Sequence, residues 1–173
     1  MNLKPFICVT AALAFVIHSD CLAKMQREEV ALREVPKFGD YSVALPKTGA
    51  AYSSKLVFTS SYARRYRTVI SQEGKKEPNF AGHYRVVTWG CGTDCHGFAI
   101  VNRVTGQVYT SPSIKYVAGV MGNAESRISY KRDSCLFVLT GLLNDEIEGN
   151  FFYKWTGNQL KMVFKRPVVK EDL

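Results

Sequence analysis

The chain has 173 residues, 46% hydrophobic and 22% charged, with 23 Lys+Arg against 15 Asp+Glu and a net charge of +8. That apolar fraction excludes intrinsic disorder, and 13 glycines with 6 prolines exclude a collagen-like chain. The length suits one hydrophobic core, which 12% aromatic residues are well able to fill.

From the N-terminus, Lys4 precedes an apolar run, Phe6 to Ile17, and a polar stretch ends with Cys21 and Ala23 at positions −3 and −1 of a cleavage site. This is the anatomy of a secretory signal peptide over residues 1–23. As a helix the apolar run reaches only about 18 Å, against a bilayer core of about 30 Å, so it is too short to remain as an anchor. His18-Ser19-Asp20 also lacks the aliphatic and small residues that lipid attachment at Cys21 would need. The expectation is an exported chain, residues 24–173, periplasmic or secreted, with no membrane span after cleavage. Cleavage removes Lys4 and Asp20 together, so the net charge stays at +8. It also removes Cys8 and Cys21, leaving Cys91, Cys95 and Cys135 in an oxidising compartment.

In the mature part, residues 24–35 are rich in helix formers, and Pro36 ends a short N-terminal helix. An irregular connection follows, with a short strand at Tyr41–Leu45 and another at Lys55–Thr59. One packed helix is expected over about 61–73. Ser60 or Ser61 caps it, Ala63, Tyr66 and Ile70 share a face, and Gly74 serves as C′ residue. Arg64, Arg65 and Arg67 form its solvated side.

From residue 80 the pattern has period 2. His83–Trp89 and Phe98–Asn102 are apolar on both faces, as central strands are. Arg103–Gly106 reads as a hairpin loop leading to Gln107–Thr110. Arg127–Lys131 and Cys135–Gly141 read as strands, Asn144–Asn150 as an acidic loop. A last hairpin closes over Thr156-Gly157-Asn158. Its second arm turns Leu160, Met162 and Phe164 one way and Lys161 and Lys165 the other. The fold class is mainly β (α+β): an antiparallel sheet or sandwich-like domain with one packed helix.

Residues 78–97, PNFAGHYRVVTWGCGTDCHG, gather both mature histidines, two of the three cysteines and a tryptophan. Four chemistries compete for them. A Cys91–Cys95 disulfide pinning a Gly-rich turn is the plainest; Cys135 is then a buried thiol, although its pairing with Cys91 or Cys95 stays open. His83, Cys91, Cys95 and His96 are a Cys2His2 metal set by type, but their spacing is poor for a chelate. CGTDCH has one residue too many between its cysteines for a c-type haem site. Finally, Cys91 or Cys95 paired with His83 or His96, with Asp94 orienting the imidazole, would make a thiol nucleophile. No phosphate loop or nucleophile elbow is present.

NFAGHY (Asn79–Tyr84), then WGCGTDC (Trp89–Cys95), SCLFVLTG (Ser134–Gly141) and Tyr153-Lys154-Trp155 resemble a family of small exported bacterial proteins of unassigned activity. The resemblance spans roughly residues 60–165. It implies an exported β-rich domain and carries over no catalytic residue. The resulting expectation is a non-catalytic exported binding domain, of inhibitor or immunity type, acting on an envelope enzyme or toxin. Its binding candidates are His83, Trp89, Asp94 and His96, with Trp89, Asp94 and His96 projecting from the pinned turn. No metal or cofactor is expected. The partner is a protein or an anionic envelope polymer rather than nucleic acid. The competing expectation is a thiol-dependent envelope enzyme built on Cys91 or Cys95.

Overall fold

In a computed structural model, residues 34–47, 51–119 and 126–167 are described. The expected signal peptide and residues 24–33 of the expected N-terminal helix lie outside them. Contacts divide the chain between Val35 and Pro36, and all the described elements belong to the unit from Pro36 onward.

The fold is mainly β, as its alternating sequence predicts, and its strands form one sheet. The strand expected at Tyr41–Leu45 does not form: a 3-10 turn, Phe38–Tyr41, ends at its first residue, Ser42 makes a single bridge to Ser134, and 43–45 are irregular. Strand β1 (Val57–Phe58) leads into two short helices, α1 (Ser61–Arg65) and α2 (Arg67–Glu73). Then come β2 (Tyr84–Gly92), β3 (Cys95–Asn102), β4 (Gln107–Tyr109) and β5 (Val117–Ala118). Strands β6 (Ile128–Tyr130), β7 (Leu136–Leu143), β8 (Ile147–Trp155) and β9 (Leu160–Pro167) complete it. The order is β1-β4-β3-β5-β7-β8-β9, with β2 on β3 and β6 on β7; the β1–β4 pair is parallel, so the sheet is mixed.

Alternation along β2 and β3 distributes their side chains between two cores. Tyr84, Val86, Phe98 and Ile100 face a core shared with Phe137, Leu139, Phe151, Tyr153 and Trp155 of β7 and β8. The sheet coils enough for Trp155 to touch Tyr84 and Tyr109 of its other half, with ring centroids 5.3 and 5.0 Å apart. Val87, Trp89, Ala99 and Val101 face the opposite way, against Ala63 and Ile70 of the helices.

Of the loop expected at Asn144–Asn150, Ile147 to Asn150 belong instead to β8, and four further details depart from the sequence reading. The single helix is broken at Tyr66 (φ −102°, ψ 19°), whose ring stacks on Trp89 at 4.4 Å; Ser60 caps α1 by accepting from the Ala63 N–H. Gly74 has an ordinary φ of −68°, and its value is closeness: a Cβ there would lie 3.1 Å from Val101 Cγ2. Among the named strands β2 pairs only with β3, although both its faces are buried. Asn79 stands in for a strand at its other edge, its side-chain amide accepting from the Val86 N–H (2.7 Å) and donating to the Val86 carbonyl (3.2 Å). Last, a bulge in β9 sets Phe152 opposite Phe164 but Tyr153 opposite Met162, leaving Val163 as the extra residue. A bulge reverses the faces beyond it, so Phe164 lies on the other side of the sheet from Leu160 and Met162.

Candidate functional site

The β2–β3 hairpin ends in a tip whose residues Gly90 to Asp94 are all exposed. The local sequence dictates its shape. The pairing runs regularly to Gly90↔His96 and resumes at Gly92↔Cys95, so Cys91 is the extra residue of a bulge. That bulge brings the Cα atoms of Cys91 and Cys95 to 5.1 Å, and the two sulfurs are bonded. Gly92 (φ +145°) and Asp94 (φ +49°) turn the chain in backbone regions where glycine and aspartate are tolerated.

Tertiary contacts then clamp the tip. On one side β5 pairs with β3 at Cys95↔Ala118 and His96↔Val117, and the Gly119 N–H donates to the Asp94 carbonyl at 2.9 Å. On the other, Arg127 donates from Nη2 (2.6 Å) and Nε (3.1 Å) to Asp94 Oδ2. The Arg127 side chain is only 4% exposed and that of Asp94 38% exposed, so a cation held inside meets a carboxylate at the rim. These hydrogen bonds hold the Asp94 carboxyl below its ordinary 3.8, a charge-assisted effect that outweighs its partial burial. His96 Nε2 lies 3.5 Å from the other carboxylate oxygen, Oδ1. A cleft of about 340 Å³ opens beside the pair, walled by Thr88, Tyr130, Ser126 and Ile128.

Of the four binding candidates, Asp94 and His96 are brought together here. Trp89 is not at the surface: it is 8% exposed and lies on the helix face under Tyr66, because an odd-numbered β2 residue points away from the cleft. Gly97 leaves room for its indole, since a Cβ there would fall 2.5 Å from Nε1. His83 sits at the far end of β2, eight residues and about 26 Å of strand from Cys91. It is half-buried, its ring 4.2 Å from that of Tyr84, and burial lowers its pKa below the ordinary 6.5.

These placements bear on the chemistries weighed above. His83 cannot share a ligand set or a catalytic pair with cysteines that far away, and both tip sulfurs are joined to each other. Among the described residues Cys135 is the free thiol, half-buried where its carbonyl accepts from the Trp155 N–H. The tip presents the Asp94–Arg127 pair with His96 beside it, above the Cys91–Cys95 disulfide.

Arg127, Thr88 and Tyr130 escaped the sequence reading. Arg127 is one of 23 basic residues, 33 positions from Asp94, and no local pattern marks it. The motifs that did stand out have structural explanations. In NFAGHY, Asn79 closes the β2 edge, Phe80 fills the core, and Ala81 (φ +42°) with Gly82 (φ +81°) makes the turn. In SCLFVLTG, the buried Ser134 hydroxyl donates to the Phe38 carbonyl at 2.8 Å.

No family model, curated protein or solved structure matches the chain. No helix among the described residues is long and apolar enough to cross a membrane, and the disulfide fits an oxidising compartment.

Proposed function

We propose that this protein is an exported, non-catalytic binding domain of the inhibitor or immunity type, which presents the β2–β3 tip to an envelope enzyme or toxin. The observation that carries the reading is the tip itself. Five consecutive exposed residues are held by a disulfide at their base and by the Asp94–Arg127 pair at their end. A loop held rigid before it meets a partner loses little conformational entropy on binding, which is how small protruding loops reach useful affinity. Export is inferred from the N-terminal apolar segment together with the oxidised cysteine pair. The net charge of +8 favours an acidic partner surface.

The test is capture from periplasmic extract by the oxidised protein, followed by an activity assay on the captured enzyme. Thr93→Arg, at an exposed position of the tip, is the matched control. The expected result is a partner that is retained and inhibited by the wild type and lost with Thr93→Arg. Capture of nothing, or equal capture by both, overturns the reading; so does retention by peptidoglycan or lipopolysaccharide alone. Thiol labelling of the protein recovered from the periplasm separates off the enzymatic alternative. Modification confined to Cys135 fits a binding domain, whereas a labelled Cys91 or Cys95 fits a thiol enzyme.

A further inference from the structure

A second concavity lies at the opposite end of the β2–β3 hairpin, some eight residues and about 26 Å of strand from the tip. It forms where the two halves of the coiled sheet meet. Its floor is Tyr84, Ile100, Val108 and Trp155, all buried, with the half-exposed Tyr109 as one wall. Trp155 stands between the two tyrosines, with interplanar angles of 79° to Tyr84 and 62° to Tyr109. The rim is polar: Thr59, Gln107 and Asn158 are exposed, and the Thr110 hydroxyl is paired with that of Ser60 at 2.7 Å.

Two properties define what would fit. The space is about 120 Å³ and open to solvent. An enclosed cavity of roughly 150 Å³ admits a benzene molecule, so this smaller, open pocket has room for part of one six-membered ring, with the rest of the ring at the rim. Moreover, none of the lining residues carries a formal charge, in a chain where 22% of residues do. An ionic ligand would find no counter-charge there and would lose its hydration without compensation. Aromatic and aliphatic walls below an edge of amides and hydroxyls match a ring with apolar C–H faces and a hydroxylated perimeter.

We infer that this pocket is a binding subsite for one uncharged pyranose ring, either a free sugar or a residue of a neutral glycan. It is independent of the partner assigned to the tip. The two tryptophans of the chain supply the test, because Trp155 lines the pocket while Trp89 lies on the opposite face of the sheet. The full-length protein is titrated with methyl glucoside, chitotriose, glucuronate and adenosine, and the two indole N–H signals are followed by NMR. Saturable movement of the Trp155 signal with a neutral sugar, with Trp89 unmoved, is the expected result. Response to the monosaccharide places recognition in a single ring; response to chitotriose alone places it in a glycan chain. Tyr109→Ala should weaken binding at least tenfold, and so should Gln107→Glu, an exposed rim change that leaves the core untouched. The Trp89 signal reports whether either variant still folds. No movement of Trp155, equal binding of glucuronate or adenosine, or undiminished binding by both variants overturns the proposal.

Discussion

Arg103 is 5% exposed, and its guanidinium is satisfied by backbone carbonyls. Nε donates to the Lys76 carbonyl at 3.0 Å, Nη1 to Ser53 at 2.8 Å and Nη2 to Lys75 at 2.8 Å, with the Tyr52 ring 5.4 Å away. Two of these acceptors follow the end of α2, where the helix dipole also favours a cation. Arg103→Met keeps much of the apolar stem and removes all three bonds. Hydrogen bonds from a charged donor contribute roughly 1.5–3 kcal/mol each, but the Lys75 and Lys76 backbone lies near the surface and water can recover part of that. The expected loss is therefore about 3–5 kcal/mol, a large share of the roughly 5–15 kcal/mol that holds a typical domain together. For a chain of this size it corresponds to a fall in Tm of about 10–15 °C. Arg103→Lys keeps the charge but not the planar fork, and should lose about half as much. Urea and thermal unfolding followed by circular dichroism measure both. A stability for Arg103→Met within about 1 kcal/mol of wild type would show that the carbonyls need no guanidinium, and would refute the reasoning.

The disulfide closes a very short loop, so the Cys91→Ser, Cys95→Ser double variant should lose only about 2 kcal/mol, with the fold intact by circular dichroism. Global unfolding on reduction would contradict this. Asp94→Asn tests the sign of the ion pair. Because pairing holds the folded carboxyl below 3.8, its contribution is complete above that pH and disappears as pH falls through the folded value. The stability gap between wild type and Asp94→Asn should therefore close in acid, and a gap independent of pH would exclude the linkage. Gly119→Ala would put a Cβ against both Asp94 Oδ2 and the Arg127 guanidinium. It should move the Asp94 titration, read by carboxyl NMR, up towards 3.8. For His83, burial favours the neutral ring, so wild-type stability should fall as pH drops below 6.5 and level off under the folded pKa. His83→Gln should flatten that slope in pH-dependent unfolding curves.

Much of the fold was legible because strand alternation and turn chemistry are local. The boundaries of β7 and of the last hairpin lie close to the apolar runs that predicted them, and Ser60 caps α1 as the sequence indicates. The Cys91–Cys95 pairing was equally legible, since only a few residues separate the sulfurs in a turn. Alternation breaks down at bulges, which nothing in LKMVFK announces, and so Phe164 was assigned to the wrong face. Within the site, Asp94 and His96 were found because they share a segment with the cysteines. Arg127 was not, because its role depends on where β6 and its approach lie beside the tip.

The amino-acid sequence by itself determined a β-rich domain with one helical region and a disulfide-bonded hairpin tip, all set by contacts between near neighbours. Only the tertiary structure decided which side of each strand meets which layer. That choice buried Trp89 beneath Tyr66 while leaving Asp94 at the surface, and it brought Arg127 to the tip and Trp155 between Tyr84 and Tyr109. The physical reason is that period-two alternation says two residues face opposite ways, but what covers each face depends on chain that is distant in sequence.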